Sequence, residues 1–409
     1  MTQEKLVLIL GNGIAGTTAA FTARDSGFAG RIILTSEEPH PVYFRPRLPE
    51  LLNGETTFEK IIMTDSAKHS QKNIELLLNK KAVKIDVGNK SVLFSDGEKI
   101  VYDKLVIATG CQVNIPKIKG LSEINDCFAL RDASDADKIF NAAKGKHKFV
   151  CIGGGVLGLE AAYHIIKLGL KAEILECAPR LMPRQLDERG ASILKKCLEE
   201  KGFVFSLGAE INEISRAERG LYVHLAESDK VSGDFLLLST GVSPRRELLS
   251  GTDIRIERGI TVDENAQTSV KDIYSAGDNV QFNGKTWGTW IAARFWGIRA
   301  GNHIAGKDLP FKLPSESFRL KITGIDLLSV GEADLENQLS GKNDFVSHII
   351  EDSPEEGKYA KITTEKGLVK GAILLGSYPF VRNVEKAVQD NLQLEKLVEI
   401  SGIKIKSSH

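Results

Sequence analysis

Two clusters of glycine carry the clearest chemistry in this sequence. Gly11, Gly13 and Gly16 stand in GNGIAG, with Ala15 between the last two, and Gly153, Gly155 and Gly158 stand in GGGVLG. A G-x-G-x-x-G between a strand and a helix is a device for binding a pyrophosphate. Its first glycine makes a tight turn, its second lets a phosphate approach the backbone, and its third lets helix pack on strand. Unpaired amides at the helix N-terminus then hold the anion. About 20 residues after each cluster an apolar run ends in acid: Glu37 or Glu38 in RIILTSEE, and Glu176 in KAEILE. A carboxylate there accepts hydrogen bonds from ribose hydroxyls, and Glu37 is nearer the strand end. Cys177-Ala178-Pro179 follow Glu176 with no adjacent arginine to receive a 2′-phosphate, and Arg180 comes only after them. That predicts NADH over NADPH. A third acid, Asp278, follows Gly277 at the end of IYSAG and would present a carboxylate to cofactor hydroxyls; Gly-Asp pairs also make plain turns.

The elements that position these residues form a repeated unit. LVLIL (6–10) and KFVCI (148–152) are short apolar runs that read as buried parallel strands. Each leads through its fingerprint into a helical pattern and a second strand. YDKLVIATG (102–110) then matches DFLLLSTG (234–241). Between these lie antiparallel inserts, with turns at Gly88-Asn89, Asp96-Gly97 and near Arg219-Gly220. No third fingerprint follows. ITVDENAQTSVKDIYSAGDNV leads to a long helix ending near Ala305, and Pro310 and Pro314 mark a linker. From about Ser317 the pattern is strands, closed by one amphipathic helix from about Val381 to Leu394. The fold class expected is α/β: two Rossmann-like dinucleotide-binding domains plus a small C-terminal α+β domain.

Bulk composition narrows the rest. The chain has 409 residues, 42% hydrophobic and 26% charged, as soluble multidomain proteins have. Lys+Arg and Asp+Glu balance at 54 each, so no global field draws nucleic acid or a membrane surface. No run of about 18 or more apolar residues occurs, and the N-terminal run breaks too early at Gly11 for a signal peptide. The five cysteines are scattered, without C-x-x-C or metal-ligand spacing, so no metal site is expected and all five are read as packing residues. The expected location is the cytoplasm.

With both fingerprints in hand, the sequence resembles the pyridine nucleotide–disulfide oxidoreductase family over nearly its whole length. The resemblance implies FAD at the first fingerprint and NADH at the second, with hydride passing from one to the other. It implies an FAD-binding domain from 1–112 and 243–312, an NAD-binding domain from 113–242, and a C-terminal domain from 313–409. Thr109 and Gly110, and Gly241 with Pro244, resemble the family's crossover strands. Gly277-Asp278 resembles its second FAD signature, and Leu130-Arg131 the Arg-containing stretch before the NAD fingerprint. Branches with a redox cysteine carry it near residues 40–55, which here read HPVYFRPRLPELLNG, without cysteine. That segment is similar to NADH:rubredoxin reductases and to the flavin-bearing portion of nitrite reductases, which implies that Arg45 contacts FAD; the alternative is a solvated surface arginine.

The same resemblance places Glu160 near the nicotinamide and Trp290 near the flavin as candidate catalytic residues, a solvated helix glutamate being the alternative for Glu160. Trp287 and Trp296 fit aromatic packing as well as a cofactor role. Without a thiol relay, electrons would leave the flavin directly for a small iron carrier, rubredoxin or ferredoxin. An NADH oxidase or quinone reductase is the second reading, and a non-catalytic NADH-sensing flavoprotein the third. A homodimer is compatible with all three.

Overall fold

The computed structural model describes residues 4–226, 229–333 and 345–405. The chain divides into two compact units. One comprises Met1–Arg47, Thr57–Asn114 and Val242–Pro314, and the other Leu48–Thr56, Ile115–Gly241 and Ser315–His409.

In the first unit, five parallel strands lie in the order Ile273–Ser275, Lys104–Ile107, Leu6–Leu10, Arg31–Thr35 and Ile74–Leu77. The fingerprint strand sits at the centre, and Val7, Leu8, Ile9 and Leu10 are fully buried, as a strand covered on both faces requires. The helices Ile14–Asp25 and Trp290–Ile304 pack their alanines and glycines together. The insert is a three-stranded meander of Ala82–Asp86, Ser91–Phe94 and Lys99–Val101.

The second unit repeats the plan. Its parallel sheet runs Phe203–Leu207, Lys171–Glu176, Lys148–Ile152, Phe235–Leu238 and Cys127–Phe128, with a meander of Ile211–Arg216, Leu221–Leu225 and Lys230–Gly233. The C-terminal sheet is antiparallel, in the order Ser317–Ile322, Ile325–Gly331, Leu368–Leu375, Lys358–Glu365 and Phe345–Ser353. A buried polar joint ties this sheet to the helix Glu188–Glu199. Asp187 caps that helix by accepting the Gly190 amide at 2.8 Å, and its other carboxylate oxygen lies 2.8 Å from both the Tyr359 hydroxyl and the Lys361 ammonium. Lys361 is 1% exposed, so the pairing offsets part of the cost of burying its charge.

Two expectations need correction. The single helix from Val381 to Leu394 is two helices, Val381–Asp390 and Leu394–Ser401. Asn391 takes the left-handed conformation (φ 49°), which asparagine tolerates, and this ends the first helix. Nor are all five cysteines packing residues: Cys177 is exposed, because the chain leaves the sheet right after Glu176. Partial burial, with Glu176 beside it, raises the Cys177 thiol above its ordinary value, so it is no activated nucleophile. Among the described residues no helix is long and apolar enough to cross a membrane.

Candidate functional site

The two fingerprints have the same geometry. Gly11 (φ 108°) passes so close to the Ala108 carbonyl, and Gly16 to the Gly11 carbonyl, that a Cβ at either would collide. Gly153 (φ 113°) is set likewise against Ser239, and a Cβ on Gly158 would lie 2.5 Å from the Gly153 carbonyl oxygen. The middle glycines differ. A Cβ on Gly13 or Gly155 would meet no atom of the chain within 4 Å, and both residues have φ near −80°, which any residue adopts. Neither backbone strain nor protein packing therefore demands glycine there. Each faces open space at a helix N-terminus with no side-chain cap, so the cradle fits a pyrophosphate pressed against the backbone.

Around the first cradle the acids take separate roles. Glu38 accepts from the Tyr43 hydroxyl at 2.7 Å and pairs with Arg45, whose guanidinium lies over the Tyr43 ring at 4.9 Å. Glu37 faces Arg245, with Oε1 2.5 Å from Nη1. Sequence reasoning missed Arg245; its one signal was a cation just past Pro244. Thr109 and Gly110 (φ 65°) follow the strand whose next residue, Ala108, supports Gly11. Gly277 (φ 104°) sits over Ala15, where a Cβ would come within 3.2 Å of the Ala15 methyl. The Ala15 methyl thus faces protein, not the open space before Gly13. Asp278 is half-buried, its carbonyl accepting from the Cys111 thiol at 3.2 Å.

Trp290 opens the helix Trp290–Ile304, which Thr289 caps through the Ala292 amide. Its ring meets Phe44 edge-on at 5.7 Å, and its indole Nε1 is buried without a hydrogen-bond partner among the described residues. A buried donor left over at a helix N-terminus fits an acceptor supplied by a cofactor. The Trp296 Nε1 is likewise buried without a partner among the described residues, but that ring is a core residue: 1% exposed, it is ringed by Phe282, Trp287, Phe295 and Phe311.

At the second cradle Glu176 is 8% exposed and held by two amides, Gly154 N to Oε2 at 2.7 Å and Ala178 N to Oε1 at 2.8 Å. Arg180 turns to carbonyls of its own loop, donating to Leu186 at 3.1 Å and Pro183 at 3.3 Å. Arg131 is half-buried ahead of the helix Ala133–Ala143, its amide donating to Asp135 at 3.0 Å. Gly241 (φ 86°) precedes the strand Val242–Pro244.

Glu160, in the second turn of the helix Val156–Ile166, is buried rather than solvated, at 6% exposure. Its Oε1 accepts the Lys321 amide at 2.7 Å. Burial pushes its carboxyl up to about 7 against the pull of Lys321, and Glu50 pushes the same way. Glu50, His164 and Lys321 escaped sequence reasoning, since nothing local links three segments so far apart.

Two glycine cradles that fit a pyrophosphate, a buried acid at the end of the second unit's strand and an orphaned indole donor suit a chain that binds dinucleotides. Comparisons agree. The family model for pyridine nucleotide-disulphide oxidoreductases matches residues 5–297, and that for the rubredoxin NAD+ reductase C-terminal domain matches 317–392. The chain is 31% identical to the NADH-rubredoxin oxidoreductase of Clostridium acetobutylicum, covering 97% of this chain and 98% of that one. It is 29% identical to a nitrite reductase [NAD(P)H] of Bacillus subtilis over 98% of this chain, spanning only 49% of that protein. The crystal structure of NADH:rubredoxin oxidoreductase from Clostridium acetobutylicum superposes with a TM-score of 0.77 at 28% identity, covering 97% of this chain and 99% of that one. The chain belongs to the pyridine nucleotide–disulphide oxidoreductase family.

Proposed function

We propose that this protein binds FAD and NADH and passes the electrons of NADH through the flavin to a small iron carrier protein, rubredoxin or ferredoxin. The observation that carries the reading is the pair of middle glycines, Gly13 and Gly155, each open to space in a cradle that protein packing does not explain. When bound, the flavin takes two electrons from NADH together and gives them up singly. The chain's own part is to bind, align and exclude water.

In this reading residues 1–112 and 243–312 hold FAD. Gly11, Gly13, Ala15 and Gly16 shape its cradle, with Thr109, Gly110, Gly277 and Asp278 beside it. Glu37 takes the adenosine ribose, Arg45 contacts FAD, and the Trp290 indole donates to an acceptor on the ring system; Arg131, ahead of the second fingerprint, is a further cofactor-binding residue. Residues 113–242 hold NADH on Gly153, Gly155 and Gly158, with Gly241 at the crossover, and 313–409 form the C-terminal domain. Glu176 accepts the ribose hydroxyls, and the donation of Arg180 to carbonyls of its own loop favours NADH over NADPH. The segment 40–54 holds no cysteine, which favours direct exit of electrons from the flavin over a thiol relay. The scattered thiols suit a reducing cytoplasm. A homodimer is compatible with this reading, and sedimentation of the holoenzyme distinguishes it from a monomer.

The test is anaerobic. NADH should bleach the flavin well ahead of NADPH, and rubredoxin or ferredoxin should restore its colour faster than oxygen or a quinone at equal concentration. Failure of both carriers to reoxidise the flavin would sink the carrier assignment.

A further inference from the structure

The two fingerprints hold their acids in different ways. Glu176 is fixed by main-chain amides, Gly154 to Oε2 and Ala178 to Oε1. No amide among the described residues donates to the Glu37 carboxylate. Two cations face it instead, Arg245 with Nη1 2.5 Å from Oε1 and Lys81 with Nζ 3.9 Å from Oε2. Glu38, the other acid of that loop, is already engaged at both oxygens, Oε2 by the Tyr43 hydroxyl and Oε1 by Arg45. Glu37 differs in keeping Oε2 clear, because Lys81 stands beyond hydrogen-bond reach. Arg245 is placed by the crossover strand Val242–Pro244, which pairs antiparallel with Cys111–Val113, Pro244 opposite Cys111. Pro244 is buried and has no N–H to extend that ladder, so Arg245 is the first residue past it. Its Nε is buried with no hydrogen-bond partner among the described residues. The Arg245 and Glu37 side chains are 36% and 35% exposed, and an ion pair that open to solvent contributes little to folding.

We propose that Arg245 is a positioning residue of the FAD site: by pairing with Oε1 it turns the Glu37 carboxylate so that Oε2 meets the hydroxyls of the adenosine ribose. The inference rests on the flavin reading above, and adds to it a residue from the far end of the first unit's sequence. A glutamate at the end of a loop samples many rotamers, and a ligand that must order it binds less tightly. At Glu176 two amides have met that cost before any nucleotide arrives. At Glu37 the same task falls to a side chain. A guanidinium suits it, because its planar fork fixes the plane of a carboxylate where an ammonium acts only as a point charge. Lys81, at 3.9 Å, adds charge on the other side without occupying Oε2.

The test follows FAD release from the holoenzyme, read as the flavin fluorescence that appears on dilution. Arg245→Met should raise the FAD dissociation constant about tenfold, the lower end of what a hydrogen bond to a charged group contributes. Arg245→Lys should recover only part of that loss. With Glu37→Gln already in place, Arg245→Met should add less than about twofold, because the arginine acts through the acid. In FAD-saturated Arg245→Met, the NADH titration and the visible flavin spectrum should keep their wild-type values. A substitution that merely loosened the fold would move both. Wild-type FAD affinity in Arg245→Met or in Glu37→Gln would overturn the proposal. So would a loss that adds in full to that of Glu37→Gln, or one shared by NADH binding. Wild-type protein that holds no FAD at any concentration would overturn the flavin reading itself, a result distinct from FAD held equally well with and without Arg245.

Discussion

Replacing Glu160 by Gln should change how stability depends on pH, by an amount the structure sets. The Glu160 carboxyl is 6% exposed and its value is raised from 4.5 to about 7, chiefly by burial. Between those two values the folded chain keeps a proton that the unfolded chain has lost. Stability from this group is therefore fully present below about pH 4.5 and is lost as pH rises through about 7. At about 1.4 kcal/mol for each pH unit, the rise from 4.5 to about 7 comes to about 3 kcal/mol. Glutamine keeps an oxygen for the Lys321 amide and cannot ionise. From about pH 5.5 to about pH 8.5 the variant should thus gain about 2 kcal/mol on the wild type, and more if acid is approached further. Thermal melts followed by circular dichroism at the two pH values would read this as a difference in midpoint that widens by a few degrees on the alkaline side. Curves for variant and wild type that run parallel across the range would mean that Glu160 is ionised throughout, and the reasoning would fail.

Other substitutions separate cradle from scaffold. Gly155→Ala should leave the melting midpoint within about 0.5 kcal/mol of wild type and FAD content intact. It should weaken NADH binding by about 1–3 kcal/mol, as an extra methyl in a tight contact does; a flavin-bleaching titration measures it. Gly153→Ala should instead destabilise the fold by about 1–3 kcal/mol or more, because it forces a side chain into φ 113° against the Ser239 carbonyl, and a denaturant melt shows the difference. Lys361→Met removes one partner from the buried Asp187 pair and should cost about 3–5 kcal/mol by guanidinium unfolding. Trp290→Phe keeps an aromatic contact with Phe44 but deletes the orphaned indole donor; it should shift the flavin midpoint potential and visible spectrum with little effect on the melt.

The parts of this molecule written in local backbone rules could be read from its sequence. A glycine forced to positive φ or to a carbonyl contact, as Gly11 and Gly153 are, leaves its mark in the strand, turn and helix around it. That is why the two halves, their meanders and the C-terminal strands stand where the pattern puts them. The break at Asn391 was hidden because an asparagine in a helical pattern looks like any polar position until its φ is known. The cluster of Glu50, Glu160, His164 and Lys321 was hidden for another reason. Its members come from three segments brought together only by tertiary packing, and a buried glutamate on an apolar helix carries no sign that an amide 161 residues away will meet it. The Glu37–Arg245 pair was lost in the same way.

The joint at Asp187 has a bearing on how such a protein can be taken apart and recombined. The C-terminal sheet reaches the parallel-sheet half of its unit through a tyrosine hydroxyl and a lysine on one carboxylate, and through the Lys321 amide on Glu160. Removing the residues after the linker near Pro314 would take Tyr359 and Lys361 from Asp187 and the Lys321 amide from Glu160. A chimaera carrying a foreign C-terminal module would inherit the same two debts unless the graft supplied a cation opposite Asp187 and a main-chain donor opposite Glu160. The sheet is thus a specified counterpart, not an interchangeable appendage, and shuffling between relatives should succeed where those two positions travel together.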